Sequence, residues 1–118
     1  MKFDNHKAIF LQIVDLVTSK IANNDWLPDE KIPSVRDLGA ELEVNPNTVM
    51  RAYELLQQKD IIYNKRGLGF FVKPMAAENI VKSKKKQFLE VDLPVFFKTM
   101  KVLNISIDEI IDQYHKIK

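Results

Sequence analysis

A chain of 118 residues with 46% hydrophobic and 29% charged side chains has the composition of one ordinary globular domain, or of a small domain with an appendage, and not of a disordered segment. The net charge of +2 is too small to argue for nucleic acid by itself, but it is unevenly spread: residues 1–30 carry 3 basic and 5 acidic side chains, residues 31–73 carry 7 and 5, and residues 74–118 carry 8 and 6. The lack of cysteine excludes disulfide scaffolds, thiolate metal sites and cysteine nucleophiles, and the lack of a leader pattern or an apolar run near ~20 residues makes a cytoplasmic protein with no membrane association the expectation.

In chain order, "KAIFLQIVDLVTSKIAN" at 7–23 places Ile9, Ile13, Leu16, Val17 and Ile21 at spacings of three and four, which predicts a core helix. "NDWLPDEKIPS" interrupts it with two prolines and acidic turn residues, leaving a loop with at most a short strand at Lys31 and Ile32. Ser34 then precedes "VRDLGAELE", in which Val35, Leu38 and Leu42 repeat helically and Asp37 sits three residues after the serine, a weak capping box. A third helix opens at "NPNT". Asn45 is a favoured N-cap, Pro46 fits the first helical position because its missing N–H would have been unpaired anyway, and Val49, Ala52, Tyr53 and Leu56 form the apolar stripe.

Two helices joined by a short turn predict a helix-turn-helix. "IIYNKRGLGFFV" adds β-branched and aromatic runs on either side of a glycine-containing tip, the pattern of a hairpin. The fold class expected is therefore mainly α with a small β-hairpin: a winged helix-turn-helix over residues 1–75, followed by a short helical dimerisation tail over 76–118. In the tail, "MAAENIVKSKKKQ" reads as a linker passing into a helix. Leu89, Leu93, Phe96, Met100 and Leu103 then form a heptad-like seam, interrupted by Pro94, which must kink or split the helix. Asn104 suits a C-terminal cap, and "SIDE" at 106–109 is a capping box opening a last helix striped by Ile107, Ile110, Ile111, Tyr114 and Ile117.

The start of the third helix carries the functional argument. With 49, 52, 53 and 56 buried, the opposite side presents Asn47, Thr48 and Arg51, while Asn45 and Pro46 project from the tip. Asparagine can pair bidentately with adenine, arginine with guanine, and threonine offers a hydroxyl or a methyl; the helix N-terminus itself favours phosphate. Plain capping of a solvated face is the alternative. Ser34 and Arg36 open the preceding helix beside that tip, and Arg36 is either a phosphate or base contact or a surface partner of Asp37 or Glu41. Lys65 and Arg66 flank Gly67 at the hairpin tip, where they either enter a minor groove or only keep a turn soluble. Lys82, Lys84, Lys85 and Lys86 read as a solvated face. His6 and His115 have no ligand-spaced partner, and neither a phosphate loop nor a Ser/His/Asp grouping is present. No metal, no cofactor and no enzymatic activity are expected.

The run "LPDEKIPSVRDLGAELEVNPNTVMRAYELLQQKDIIYNKRGLGFFV" resembles the DNA-binding domain of the GntR family of bacterial transcription regulators, and "VNPNTVMRAYELL" with a short helical tail is similar to its YtrA subfamily. The resemblance implies a homodimeric repressor that binds a palindromic double-stranded operator, with Arg36, Asn45, Asn47, Thr48 and Arg51 near the major groove and the Gly67 wing near the minor groove. It also implies control of a transporter-type operon. The chain departs from the family pattern at Glu43 and Asp60, where glycine is usual, and at Ala8 and Phe10, where proline and tyrosine are common. A left-handed Glu43 would carry strain of about 1 kcal/mol, and Phe10 lacks a hydroxyl for a phosphate.

The tail seam and the last helix, Leu89, Leu93, Phe96, Met100, Leu103, Ile107, Ile110, Ile111 and Tyr114, are expected to pack against a second copy, because so short a tail cannot bury these faces alone. Two alternatives stand beside the regulator. One is an effector-sensing tail with Phe88, Phe96, Phe97 and Tyr114 lining a small-ligand pocket. The other is a protein-interaction winged helix without DNA.

Overall fold

The structure, a computed structural model, describes residues 3–4 and 6–117. Its elements are α1 (Ile9–Ala22), α2 (Val35–Leu42), α3 (Pro46–Gln58), β1 (Ile62–Lys65), β2 (Gly69–Val72), α4 (Ala76–Gln87), a π-helical segment (Phe88–Asp92), α5 (Leu93–Val102) and α6 (Ile107–Lys116). The chain divides into two compact units, Met1–Ser83 and Lys84–Lys118.

In the first unit the core gathers Ile13, Val17 and Ile21 of α1, Leu38 of α2, Val49, Ala52, Tyr53 and Leu56 of α3, and Ile62, Phe70 and Val72 of the hairpin. Each fully buried aliphatic side chain of this kind stabilises the fold by roughly 1.5 to 3 kcal/mol relative to exposure. The α3 stripe is buried as its spacing predicts. The α1 face is rotated from the predicted one: Ile9 is 44% exposed and Leu16 only half-buried, while Gln12, Val14 and Thr18 turn inward. The reason is local hydrogen bonding. Gln12 accepts from the Asp4 amide at 2.8 Å and donates to the Asp4 and Lys7 carbonyls at 2.7 Å each, fastening the preceding segment across the helix start. These bonds satisfy a polar group that burial would otherwise penalise. That segment also explains why α1 begins at Ile9 and not at Lys7.

The predicted caps form. Ser34 Oγ accepts from the Asp37 amide at 3.0 Å and Asn45 Oδ1 from the Asn47 amide at 2.8 Å. Between these helices Glu43 sits in the left-handed region at φ 57°, and the Val44 amide donates back to the Gly39 carbonyl at 2.8 Å. This is a Schellman-type ending that normally favours glycine. Asp60 does the same after α3 at φ 57°, with the Ile61 amide returning to Leu56 O at 3.0 Å.

β1 and β2 pair antiparallel in the register Ile62–Val72, Tyr63–Phe71, Asn64–Phe70 and Lys65–Gly69. The short strand expected at Lys31 and Ile32 lies along β2: Lys31 bridges Phe71, and the Ile32 and Val72 amides donate to Phe70 O and Glu30 O at 2.9 and 3.0 Å. Tyr53 ties this layer to α3, donating to Pro33 O at 2.7 Å and meeting Phe70 edge-on at a centroid distance of 5.0 Å. No linker separates the hairpin from the next helix. Instead α4 starts at Ala76, and Ala76 and Ile80 are buried in the same core, because small and β-branched residues on one face of "MAAENIV" complete an apolar stripe.

In the second unit the helix neither breaks nor simply kinks before Pro94. The chain keeps right-handed helical dihedrals at Gln87, Asp92 and Leu93 and widens into the π segment. Proline removes one backbone donor and crowds the preceding turn; the wider turn, closed by the Leu93 amide on Phe88 O, relieves the crowding. That extra residue displaces the seam's register at Leu89 from what a uniform α-helix would give. Asn104 caps α5 in the left-handed region at φ 55°. Ser106 and Glu109 form the reciprocal capping box of α6, at 3.2 and 2.7 Å. Leu89, Phe96, Leu103, Ile107, Ile111 and Tyr114 remain exposed and Leu93 and Ile110 half-buried, with Met100 alone of the seam buried.

Candidate nucleic-acid interface

The turn between α2 and α3 is short because Gly39 permits it. A Cβ at this position would lie 2.7 Å from the Val44 carbonyl oxygen and 3.4 Å from the Pro46 nitrogen. Real side-chain contacts are not that close, so only glycine lets the start of α3 cross the end of α2 here. In sequence the position reads as a plain helical residue, and only the neighbouring chain reveals its role.

Beyond that turn the tip of α3 is presented to solvent. Asn45, Pro46, Asn47 and Arg51 are exposed and Thr48 is half-exposed, with Val49, Ala52 and Tyr53 buried behind them. The structure thus groups these predicted residues on one helix end. It also distinguishes the two asparagines. Asn45 commits one Oδ1 lone pair to its cap, which fixes the orientation of its side chain, whereas Asn47 keeps both oxygen and nitrogen uncommitted for a bidentate pairing with adenine. Ser34 spends an oxygen lone pair on its own cap but retains its hydroxyl proton, and Arg36 is exposed in the first turn of α2. Glu54, exposed one turn beyond Arg51 on the same face, is a residue that the sequence pattern does not single out. Its carboxylate can accept from cytosine N4 but repels phosphate, which limits how α3 can lie along a duplex.

At the hairpin tip the Leu68 amide returns to Lys65 O at 2.8 Å, and Gly67 takes φ 81° as the residue that needs positive φ. Lys65 and Arg66 are exposed beside it, and Leu68 is 54% exposed. A third cation belongs here: Lys31 crosses β2, its ε-carbon 3.1 Å from where a Gly69 Cβ would stand. No local pattern marks Lys31 as part of the wing, since its place follows from a bridge to Phe71 made far along the chain.

Beside Asn47 and Thr48, the Arg51 guanidinium lies 3.9 Å from the centroid of the Phe10 ring. Phe10, Ala8, Ile9, Asn47, Thr48 and Arg51 line an open depression between the starts of α1 and α3. Two tyrosines are shifted upward in pKa: Tyr53 by burial and by the charge of Glu41, and Tyr63 chiefly by its hydrogen bond to Asp29. Both hydroxyls are engaged within the fold, Tyr53 donating to Pro33 O and Tyr63 to Asp29 Oδ1. Among the described residues no cluster of histidines and carboxylates could hold a metal ion, and no helix is long and apolar enough to cross a membrane.

The family of bacterial regulatory proteins named gntR matches residues 10–72 of this chain. Over 111 residues the chain is 33% identical to the HTH-type transcriptional regulator YhcF of Bacillus subtilis, covering 94% of this chain and 90% of that protein. It is 34% identical to the HTH-type transcriptional repressor YtrA of the same organism over 64% of this chain and 58% of that one. The crystal structure of a GntR-family transcriptional regulator from Bacteroides thetaiotaomicron superposes with a TM-score of 0.80 at 43% identity, covering 92% of this chain and 95% of the other. The DNA-binding domain of AraR in complex with its operator superposes over 61% of this chain and 87% of that one, with a TM-score of 0.56 at 26% identity.

Proposed function

This chain belongs to the GntR family of bacterial regulatory proteins, and from that membership we propose that it is a homodimeric, sequence-specific repressor of the YtrA type acting on a palindromic operator. The observation that carries the reading is the tip of α3, where Asn47, Thr48 and Arg51 stand clear of the core on one helix end whose first-turn amides are already taken up by Asn45, leaving the side chains to make the contacts. Arg36 lies at the start of the preceding helix, and the AraR complex is a precedent for this fold on an operator. In this reading Asn47 and Arg51 touch base edges and Thr48, Ser34 and Arg36 hold the backbone. Lys65, Arg66 and the Gly67 turn follow the adjacent minor groove, joined by Lys31.

Dimerisation is the second part of the proposal. Phe96, Leu103, Ile107, Ile111 and Tyr114 leave large apolar surfaces in water in a single chain, and a two-fold partner presenting the same surfaces would cover them. Two reading helices would then meet half-sites spaced by about 34 Å, one turn of duplex, or a multiple of it. Control of a transporter-type operon is the family-level expectation for the regulated genes.

Selection from random duplexes followed by footprinting tests this reading. The expected result is a protected palindrome whose binding weakens with salt at a slope of about −0.9 per phosphate contacted. Arg51→Ala should weaken the selected site by about 1 to 3 kcal/mol and relax preference at one base pair. Absence of any selected sequence would refute base reading, and a monomer by sedimentation at micromolar concentration would refute the dimer.

A further inference from the structure

An arginine that reads bases must be held with its donors free, and Arg51 is held by an aromatic ring and not by a carboxylate. Its guanidinium carbon lies 3.9 Å from the Phe10 centroid, well inside the roughly 6 Å range of cation–π attraction. The ion pairs among the described residues are Lys7–Asp15 and Lys73–Asp60, and neither involves Arg51. Phe10 is itself anchored: it sits in the first turn of α1, half-buried against the core. Around it Ala8, Ile9, Asn47 and Thr48 shape the depression in which the pair lies. A carboxylate would occupy the guanidinium N–H groups that a guanine needs, whereas the face of a ring leaves them available.

We propose that Phe10 is a positioning residue for base selection: it restrains the Arg51 guanidinium beside Asn47 and Thr48 before DNA arrives, so that α1 contributes to sequence preference through α3. This rests on the reading of α3 as the DNA-contacting helix. Ordering a long side chain on binding costs roughly 0.5 to 1.5 kcal/mol, and at 1.4 kcal/mol per decade its loss in advance corresponds to about a two- to tenfold gain in affinity.

The test compares wild type, Phe10→Leu, Phe10→Trp, Arg51→Ala and the Phe10→Leu/Arg51→Ala double variant. Leucine keeps apolar bulk without the π face, and tryptophan keeps the face. In free protein, the Arg51 Nε–Hε NMR resonance should carry a ring-current shift and restricted motion, both lost in Phe10→Leu. In anisotropy titrations, Phe10→Leu should bind the selected duplex about two- to tenfold more weakly while a scrambled duplex is bound as before. Phe10→Trp should restore selectivity, and Phe10→Leu should have no effect in the Arg51→Ala background. Equal losses on both duplexes, or the same loss without Arg51, would overturn the positioning role alone, as would an unaltered Arg51 resonance. A wild-type protein that prefers no duplex sequence would overturn the DNA-reading function and this role together.

Discussion

Replacing Gly39 by alanine sets two opposing effects against each other. Within an exposed helix interior the change would normally stabilise by about 0.8 to 1 kcal/mol, because alanine has the higher helix propensity. Here the new methyl would stand 2.7 Å from the Val44 carbonyl oxygen, against an ordinary contact of 3.4 Å or more, so the α2–α3 turn must open by 0.7 Å, the difference between them. The opposing atom is backbone, locked by the Val44 amide's own 2.8 Å bond to the Gly39 carbonyl. It cannot move aside as a flexible side-chain end would. Overpacking of this kind costs about 1 to 3 kcal/mol, and strain in the hydrogen bond adds up to about 1 kcal/mol. At their central values, about 2 and 0.5 against 0.9 kcal/mol, the steric and hydrogen-bond costs win, and the net effect is a destabilisation of about 1.6 kcal/mol. Urea unfolding followed by the fluorescence of Trp26, the single tryptophan, reports on the first unit. With a slope of about 2 kcal/mol per molar, its midpoint should fall by about 0.8 M. A midpoint equal to or above that of the wild type would refute the claim that close backbone approach requires glycine here.

Glu43→Gly should act in the opposite direction. Relief of a left-handed residue at φ 57°, about 1 kcal/mol, exceeds the roughly 0.4 kcal/mol or more of entropy glycine adds to the unfolded chain, giving a gain of up to about 0.6 kcal/mol in the same urea assay; a lower midpoint would contradict it. Tyr53→Phe should cost about 1 kcal/mol by leaving Pro33 O without its donor, and thermal unfolding at pH 7 measures it. The same variant checks the sign of the tyrosine shift. Burial raises the folded-state pKa of Tyr53 above its ordinary value of 10, so its stabilisation is complete below about pH 10 and is lost as pH climbs above that. Between about pH 10 and 12 the variant should therefore lose stability less steeply than wild type, Tyr63 being common to both. Exchanging Lys65 and Arg66 for alanine should weaken binding to all duplexes alike and reduce the salt slope by about two, since phosphate contacts carry no sequence information; a sequence-dependent loss would place the wing on base edges.

What the chain declares in its sequence is its caps, its turns and its apolar periodicity. Ser34 with Asp37, Asn45 with Asn47 and Ser106 with Glu109 are partners two or three residues apart, so their caps are legible without any knowledge of the fold. The stripe at 49, 52, 53 and 56 likewise fixes which side of α3 faces the core, and so which residues are left to face a partner. The hairpin is legible from "KRGLG" because its turn requires positive φ.

Only the tertiary structure decided the rest. The face of α1 turned when Gln12 bonded to the segment before it; Lys31 joined the wing through a bridge to Phe71; and Gly39 became indispensable because Val44 folds back upon it. Phe10 met Arg51 because α1 crosses α3. Lys31–Phe71 and Phe10–Arg51 join segments far apart in the chain, whereas Gln12–Lys7 and Gly39–Val44 are near neighbours whose contact depends on the path the backbone takes between elements. Caps, turns and periodicity follow from residue types a few positions apart, whereas steric contact, side-chain bonding to loops and cation–π attraction depend on which segments the backbone path and the packed core bring within about 4 Å.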